Sequence, residues 1–314
     1  MRLGCSIEPG RSLEDAVRRV KVAEELGYDS VWLSQLPDQR DTPLVLGAYA
    51  AASSQLRLGT AVLPIYTRHP TAMAQMALTL DELSGGRFLL GIGVSHKVTV
   101  EGMWGMKLAE PVEAMREYVA ILRESFASGA ASFEGRHFSA RWSYTPPRNP
   151  GLPILLAALG ERMLELAGEV ADGVVLWMCS PDYVRLRVVP AVRRARQRAG
   201  KSPEGFEIVA AVPVCLAADE STALDSFRTT VGRYARLPFY RRMMEASGFR
   251  ETLARDEVSA AMLRELGGIG DRNAIADILD RYQRAGVTLA VVGPLPKSQG
   301  SVGVEETLEA AIAP

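Results

Sequence analysis

Short apolar runs alternate with amphipathic segments along most of the chain, and this alternation restricts the possible fold more than any other feature. Apolar runs are typical of parallel strands buried on both faces, and the segments between them have the apolar spacing of crossover helices. The predicted strands are residues 2–7, 29–34, 57–63, 87–92, 153–157, 173–176, 206–215 and 287–292. Eight strand-and-helix units in 314 residues predict an α/β fold of the (β/α)8 TIM-barrel class, which usually takes about 250 residues.

The residues in excess of a minimal barrel fall mainly in two segments. Residues 131–140 are short, polar and aromatic, and predict a hairpin outside the repeat. Residues 219–271 predict a helical insertion, whose aromatic and basic side chains fit helices that cover the barrel or, alternatively, a direct contact with substrate. Since no linker divides the chain, residues 1–314 predict one barrel domain with two insertions.

Charge and cysteine content narrow the class of partner. The 36 basic and 37 acidic residues nearly balance, so the chain has no net positive electrostatic field that would attract nucleic acid or an anionic membrane. A small-molecule substrate is therefore expected. Cys5, Cys179 and Cys215 are far apart and form no CxxC pair, which argues against both a disulfide framework and a zinc site. No apolar run approaches the ~18 residues of a membrane span, and no signal-like segment opens the chain, so a cytoplasmic location is expected.

The C-terminal ends of the strands are where a barrel of this class builds its active site. The residues expected at this mouth are Glu8, Gln35, Val62, Ser95, Leu159 and Trp177. Gly91 and Gly93 lack side chains, so the backbone there could approach a planar cofactor closely, although tight turning alone would also explain them. The loop at residues 97–109 is long enough to cover the site.

A second site feature is the turn at residues 158–163, which ends a strand and begins a helix. Free backbone N–H groups at a helix start, together with the charge of Arg162, suit a phosphate group. Glu161 would oppose an anion if it turned inward, but a glutamate at a helix start also follows from the helix dipole alone.

Four segments, taken together, resemble the bacterial luciferase-like superfamily, and within it the branch of F420-dependent oxidoreductases related to methylenetetrahydromethanopterin reductase. They are LGTAVLPIYTRHP, LDELSGGRFLLGIGVSH, FEGRHF at residues 133–138 and ILLAALGERMLELAGEVADG at residues 154–173. The resemblance covers essentially the whole chain. It implies a luciferase-like barrel, bound coenzyme F420 (or, alternatively, FMN) and a homodimer.

The resemblance also implies individual roles. It places these residues against the cofactor: Gln35, Ala61, Val62, Gly93, Val94, Ser95, Ala158, Leu159, Gly160, Glu161, Arg162 and Met163. The Ala61–Val62 bond corresponds to a non-prolyl cis peptide that supports the back of the ring, the alternative being an ordinary buried strand. The turn from Ala158 to Met163 corresponds to the one that holds the cofactor phosphate.

Two ionisable residues are predicted to be catalytic, and no metal is expected. His96 falls where sugar-phosphate dehydrogenases of this branch have a catalytic glutamate, and imidazole exchanges protons near neutral pH; its alternative is a rim residue that contacts substrate or cofactor. Methylene-pterin reductases have glutamates near Glu8, whose pKa would rise on burial; its alternative is a solvated loop glutamate. His69, before Pro70, is expected to cap a helix.

The function expected from the resemblance is hydride transfer between the deazaflavin C5 and a small organic substrate, as in reduction of an activated C=C, C=N or C=O. Gln35 and Leu36 stand where several F420 enzymes have Asp-His, which removes a base and makes alcohol oxidation doubtful. Two alternatives stay open: a reduced-FMN-dependent monooxygenase of the same superfamily, and a non-catalytic flavin-binding relative.

Overall fold

Twelve strands and thirteen helices make up the computed structural model, which describes residues 1–145, 148–295 and 303–312. The strands are β1 (Arg2–Ser6), β2 (Ser30–Leu33), β3 (Arg57–Thr60), β4 (Leu63–Pro64), β5 (Phe88–Gly93), β6 (Ala130–Glu134), β7 (Ser139–Ser143), β8 (Ile154–Ala157), β9 (Gly173–Trp177), β10 (Glu207–Leu216), β11 (Gly268–Gly270) and β12 (Leu289–Pro294). The helices are α1 (Leu13–Glu25), α2 (Thr42–Ala52), α3 (Pro70–Leu83), α4 (Pro111–Ser128), α5 (Glu161–Val170), α6 (Pro181–Tyr183), α7 (Val189–Arg198), α8 (Glu220–Ala235), α9 (Pro238–Met244), α10 (Arg250–Ala254), α11 (Ala260–Leu266), α12 (Arg272–Ala285) and α13 (Val304–Ile312). Further helical turns, which are not α-helical, lie at Ile65–Thr67, Val98–Met103, Val184–Val188 and Glu245–Phe249.

Eight of the strands close into a parallel barrel. Their order is β1-β2-β3-β5-β8-β9-β10-β12, and β12 pairs with β1 to complete the ring. The (β/α)8 barrel predicted from the alternating pattern is therefore confirmed. β4 pairs with β5 beyond the C-terminal end of β3, and β11 pairs with the C-terminal end of β10.

Side chains of the barrel strands alternate between two hydrophobic layers, as the pleat requires. The outer layer packs under the helices and includes Cys5, Val31, Leu58 and Leu90. The inner layer fills the barrel and consists of Trp32, Leu89, Leu155, Val175, Val209, Leu289 and Val291. Gly59 makes room for the Trp32 indole, because a Cβ there would lie 2.2 Å from the ring. Trp32 thus fills the interior below the C-terminal mouth.

The two segments outside the barrel repeat fold differently from each other. β6 and β7 form an antiparallel hairpin, and the Glu117 carboxylate of α4 accepts the main-chain N–H groups of its turn, residues 136–138. Residues 219–271 contain α8 to α11, but they also contain β11, which the sequence pattern did not predict. β11 has only three residues, Gly-Ile-Gly, so it shows no strand periodicity and depends on its pairing with β10.

The three cysteines are buried free thiols. Burial raises the pKa of Cys179 to about 12, so this side chain is a thiol at physiological pH. Over residues 1–145, 148–295 and 303–312, no group of three or more His, Cys, Asp or Glu side chains could hold a metal ion. Over the same ranges, every helix is too short or too polar to cross a membrane.

Candidate functional site

The C-terminal mouth of the barrel is bordered on one side by a close approach of β3 to β5. The peptide bond between Ala61 and Val62, just after β3, is cis. A Cβ on Gly91 would lie 1.9 Å from the Thr60 carbonyl oxygen, and one on Gly93 would lie 2.7 Å from Val62 Cγ2. The cis conformation predicted from the family resemblance is confirmed, while contact of these residues with a cofactor stays a prediction.

Thr60 locks this approach through its side chain. Its hydroxyl donates to the Gly91 carbonyl oxygen at 2.7 Å and accepts from the Gly91 N–H at 2.8 Å. On the next strand, the Ala157 methyl group lies 3.1 Å from where a Gly93 Cβ would stand. Val62 and Ala157 therefore fill the space that a side chain at position 93 would need, so both pack closely against the backbone of β5 at the mouth.

Glu8 follows β1 and is half-buried at the mouth. Its Oε1 accepts hydrogen bonds from the Ser34 hydroxyl at 3.2 Å and the Ser6 hydroxyl at 3.4 Å. Burial raises the pKa of Glu8 above its ordinary value, and the two serines only partly oppose that rise. The Tyr49 hydroxyl fixes the preceding turn by donating to the Ile7 carbonyl oxygen at 2.7 Å. The carboxyl group of Glu8 is thus more shielded from water than that of a solvated loop residue.

Gln35 lies beside the same mouth, but its amide group is engaged with its own loop. Its side-chain oxygen accepts the Thr42 N–H at 2.9 Å, and its side-chain nitrogen donates to the Leu36 carbonyl oxygen at 3.2 Å. The predicted contact with the cofactor ring would need these bonds to break. In this structure Gln35 holds the loop between β2 and α2.

His96 lies where the chain leaves β5. Ser95, the residue before it, has a left-handed φ of 58°, which turns the backbone, and Val94 packs against the core. The His96 carbonyl oxygen accepts the N–H groups of Thr99 at 2.9 Å and Val100 at 2.8 Å, so the histidine begins the turn of the 97–109 loop. The His96 ring is half-buried, and burial lowers its pKa below 6.5.

We expect an NMR titration of the His96 imidazole to give a midpoint below 6.5, its ordinary value. Because the unfolded chain then binds a proton at a higher pH than the folded one, His96 lowers stability as pH falls from 6.5 towards that midpoint. A peptide of residues 92–100 supplies the unfolded reference in the same buffer. A midpoint in the protein at or above that of the peptide would contradict the burial.

The turn between β8 and α5 presents unpaired backbone donors. Gly160 is the N-cap of α5 without a side-chain cap, and among the described residues the N–H groups of Glu161 and Arg162 have no acceptor. Glu161 turns away from them and pairs with Arg194 at 3.2 Å, so it does not oppose an anion there. Tyr183 holds the turn by donating its hydroxyl to the Leu159 carbonyl oxygen at 2.7 Å.

The turn between β8 and α5 has open space next to Gly160, and buried residues on either side of Gly160 anchor it to the core. A Cβ on Gly160 would meet nothing within 4 Å, whereas Ala158 and Met163 are buried in the core. Two free N–H groups at the positive end of α5, with the exposed Arg162 next to them, are the arrangement that binds a phosphate.

The mouth is also bordered by Tyr234 of α8 and Tyr240 of α9. The sequence pattern did not single out either residue. Ring centroids are 5.8 Å apart for Trp177 and Tyr234, 4.8 Å for Tyr234 and Tyr240, and 5.5 Å for Tyr240 and His96. These four residues form what we call the aromatic wall, which runs from the end of β9 to the end of β5. The insertion therefore reaches the mouth with specific side chains. The aromatic content of residues 234–240 was the available signal, but helical spacing alone did not show which rings turn inward.

His69 has the structural role expected of it. Its Nδ1 accepts from the Thr71 N–H at 3.4 Å at the start of α3, and its Nε2 lies 3.1 Å from the Ser139 carbonyl oxygen. The predicted helix cap is confirmed.

Comparison with known proteins gives a consistent result. A family model described as luciferase-like monooxygenase matches residues 1–289. A protein of Mycobacterium tuberculosis strain ATCC 25618 / H37Rv, provisionally named a coenzyme F420-dependent oxidoreductase, is 29% identical over 313 residues, covering 87% of this chain and 88% of that protein. A 5,10-methylenetetrahydromethanopterin reductase of Methanolobus tindarius is 29% identical over 223 residues, covering 71% of this chain and 67% of that protein.

A solved structure extends the comparison to the fold. The coenzyme F420-dependent tetrahydromethanopterin reductase of Methanopyrus kandleri has a TM-score of 0.83 to this chain at 24% sequence identity. The match covers 99% of this chain and 97% of that one. The barrel and both segments outside it are therefore within the matched length.

Proposed function

Because the chain belongs to the luciferase-like monooxygenase family, we propose that it is an oxidoreductase that uses coenzyme F420 to transfer a hydride to a small organic substrate. The substrate carries an activated C=C, C=N or C=O bond. The observation that supports this most directly is that the β3–β5 approach and the free start of α5 open on the same end of the barrel. Together they offer a surface for a flat ring and a site for its phosphate.

The residues present fit such a cofactor. The Ala61–Val62 peptide and the Val62 side chain stand over Gly91 and Gly93, where any Cβ would collide, so this surface exists only with glycine at both positions. We assign the back of the ring to Val62 and the phosphate to the N–H groups of Glu161 and Arg162. When bound in its reduced form, the deazaflavin would supply the hydride, and the protein would supply position and protons.

Two side chains, Glu8 and His96, are suited to donate a proton or a hydrogen bond to the substrate in such a reaction. Burial keeps Glu8 protonated to a higher pH than an ordinary glutamate, so it can donate a hydrogen bond or a proton to the reacting substrate. Burial keeps His96 neutral at pH 7, so one ring nitrogen donates and the other accepts. A neutral pair of this kind suits reduction of a polarised double bond, in which the substrate gains a proton as well as the hydride.

The test is a titration of the apoprotein with F420 and, in parallel, with FMN. Binding is detected by the change in fluorescence of the ligand. We expect F420 to bind more tightly than FMN. Arg162→Gln should weaken F420 binding about tenfold, because a charge-assisted hydrogen bond contributes about 1.5–3 kcal/mol when it is well formed. Arg193→Gln on α7, which removes an exposed arginine elsewhere, is the matched control and should leave the affinity unchanged.

Two results would contradict the proposal. Micromolar FMN binding without F420 binding would favour the reduced-FMN monooxygenase, and oxygen uptake with reduced FMN would then identify that activity. Tight F420 binding, without any regain of oxidised-cofactor absorbance when the reduced cofactor is mixed with unsaturated ketones, imines or aldehydes, would favour the non-catalytic relative.

A further inference from the structure

Tyr240 differs from the other buried tyrosines in what its hydroxyl does. Six tyrosines are buried, and five of them donate to a main-chain carbonyl oxygen. These donors and their acceptors are Tyr28 to Leu308, Tyr49 to Ile7, Tyr118 to Arg68, Tyr183 to Leu159 and Tyr282 to Cys179, at 2.6–2.8 Å. The hydroxyl of Tyr240 donates to no described residue, although only 7% of the side chain is exposed.

Among the described residues, the enclosed side-chain donors without a partner include the Tyr66 hydroxyl but not that of Tyr240. The Tyr240 hydroxyl therefore still meets solvent, and its lack of a protein acceptor costs little stability. Burial of most of the side chain raises the pKa of Tyr240 well above 10.0, so the group stays a donor throughout the physiological range. A donor kept in this state at a ligand site is satisfied when a ligand supplies the acceptor.

The position of Tyr240 says where that ligand would lie. Its ring stands between those of His96 and Tyr234 in the aromatic wall, and the wall joins the ends of β5 and β9. Between these strands comes β8, whose last residue is the small Ala157 beside Gly93. The Tyr240 ring thus stands on the side of the mouth where β5, β8 and β9 end.

The chemistry of the wall indicates a class of ligand. Trp177, Tyr234, Tyr240 and neutral His96 offer ring faces and edges, which pack well against a flat conjugated molecule. None of the four supplies a charge that would compensate an ionised ligand group for lost hydration.

We propose that Tyr240 is a substrate-contacting residue whose hydroxyl donates a hydrogen bond to the acceptor oxygen or nitrogen of an uncharged, flat substrate lying along the aromatic wall. This inference rests on the proposed function and specifies its substrate class. It also assigns a binding role to the helical insertion, whose α9 carries Tyr240.

The experiment compares two probes that differ in one acceptor, acetophenone and ethylbenzene, by ligand-observed NMR titration with and without F420. We expect acetophenone to bind wild-type protein about fivefold more tightly than ethylbenzene, as one additional hydrogen bond predicts. Tyr240→Phe keeps the ring between His96 and Tyr234 and removes only the donor. It should abolish the difference between the probes by weakening acetophenone alone.

Tyr144→Phe, on the segment that follows the hairpin, is the matched control and should keep the fivefold preference. The melting temperature and F420 affinity of Tyr240→Phe should equal those of wild-type protein, which separates a ligand contact from a structural role. Equal binding of the two probes to wild-type protein, an unchanged preference in Tyr240→Phe, or no binding of either probe would overturn the inference. If wild-type protein did not bind F420, the proposed function would be overturned instead. The comparison of acetophenone with ethylbenzene in the absence of F420 would still test the role of Tyr240.

Discussion

Replacement of Gly91 by alanine is expected to destabilise the barrel by roughly 3 kcal/mol or more, which is at the upper end of overpacking effects. The new Cβ would stand 1.9 Å from the Thr60 carbonyl oxygen and 3.0 Å from its carbonyl carbon, so backbone and not a side-chain tip must move. Thr60 opposes that movement because its hydroxyl is bonded to both the N–H and the carbonyl oxygen of Gly91. Urea unfolding measures the loss, and a fall of about 6 °C or more in melting temperature should accompany it.

Gly47→Ala is the matched control for this change. Gly47 lies within α2, and a Cβ there would meet nothing within 4 Å. Alanine should therefore stabilise the protein slightly, by about 0.5–1 kcal/mol, through its better helix propensity. A Gly91→Ala protein as stable as wild type would show that β3 and β5 do not approach as closely as described, and the cofactor surface assigned to Val62 would lose its basis.

The barrel could be predicted because burial on both faces leaves a pattern in the sequence itself. Runs such as residues 87–92 predicted a strand that extends to Gly93 as β5, and similar agreement holds for six of the other seven barrel strands. The exception is the strand predicted at residues 57–63, because β3 ends at Thr60, just before the cis peptide between Ala61 and Val62. β4 and β11 could not be predicted in this way. They have two and three residues, too few for a period, and exist because a neighbouring strand supplies their hydrogen bonds.

The site could be predicted only as far as strand ends determine it. Glu8, Val62 and Trp177 could be placed at the mouth because a strand end has a fixed position in a barrel. The direction of Glu161 depends on Arg194, 33 residues later, and the inward turn of Tyr240 depends on how α9 packs. Such contacts between distant segments have no local signal in the sequence.

Glu8→Gln is expected to raise stability and lower activity in the same protein. Glutamine keeps an oxygen for the hydroxyl groups of Ser34 and Ser6 but never ionises. The pKa of Glu8 is raised in the folded state above its ordinary 4.5, so between these two values the folded protein holds a proton that the unfolded chain has released. Wild-type stability therefore falls as pH rises through that window, and the variant avoids the loss. Urea unfolding at pH 4, 6 and 8 should show no gain at pH 4 and a growing gain above it.

The activity of Glu8→Gln should fall at least tenfold in kcat/KM with reduced F420, because an amide cannot transfer a proton and such transfer typically contributes a factor of about 100 or more. Ser34→Ala provides the matched comparison: removing this hydrogen bond raises the pKa of Glu8 further, so its stability should fall over a wider pH range while the carboxyl group remains. If Glu8→Gln lost stability at pH 8, the wild-type carboxylate would have to be ionised and favourably paired there. Glu8 would then be a fixed negative charge at the mouth, and the reaction would need a proton donor other than Glu8.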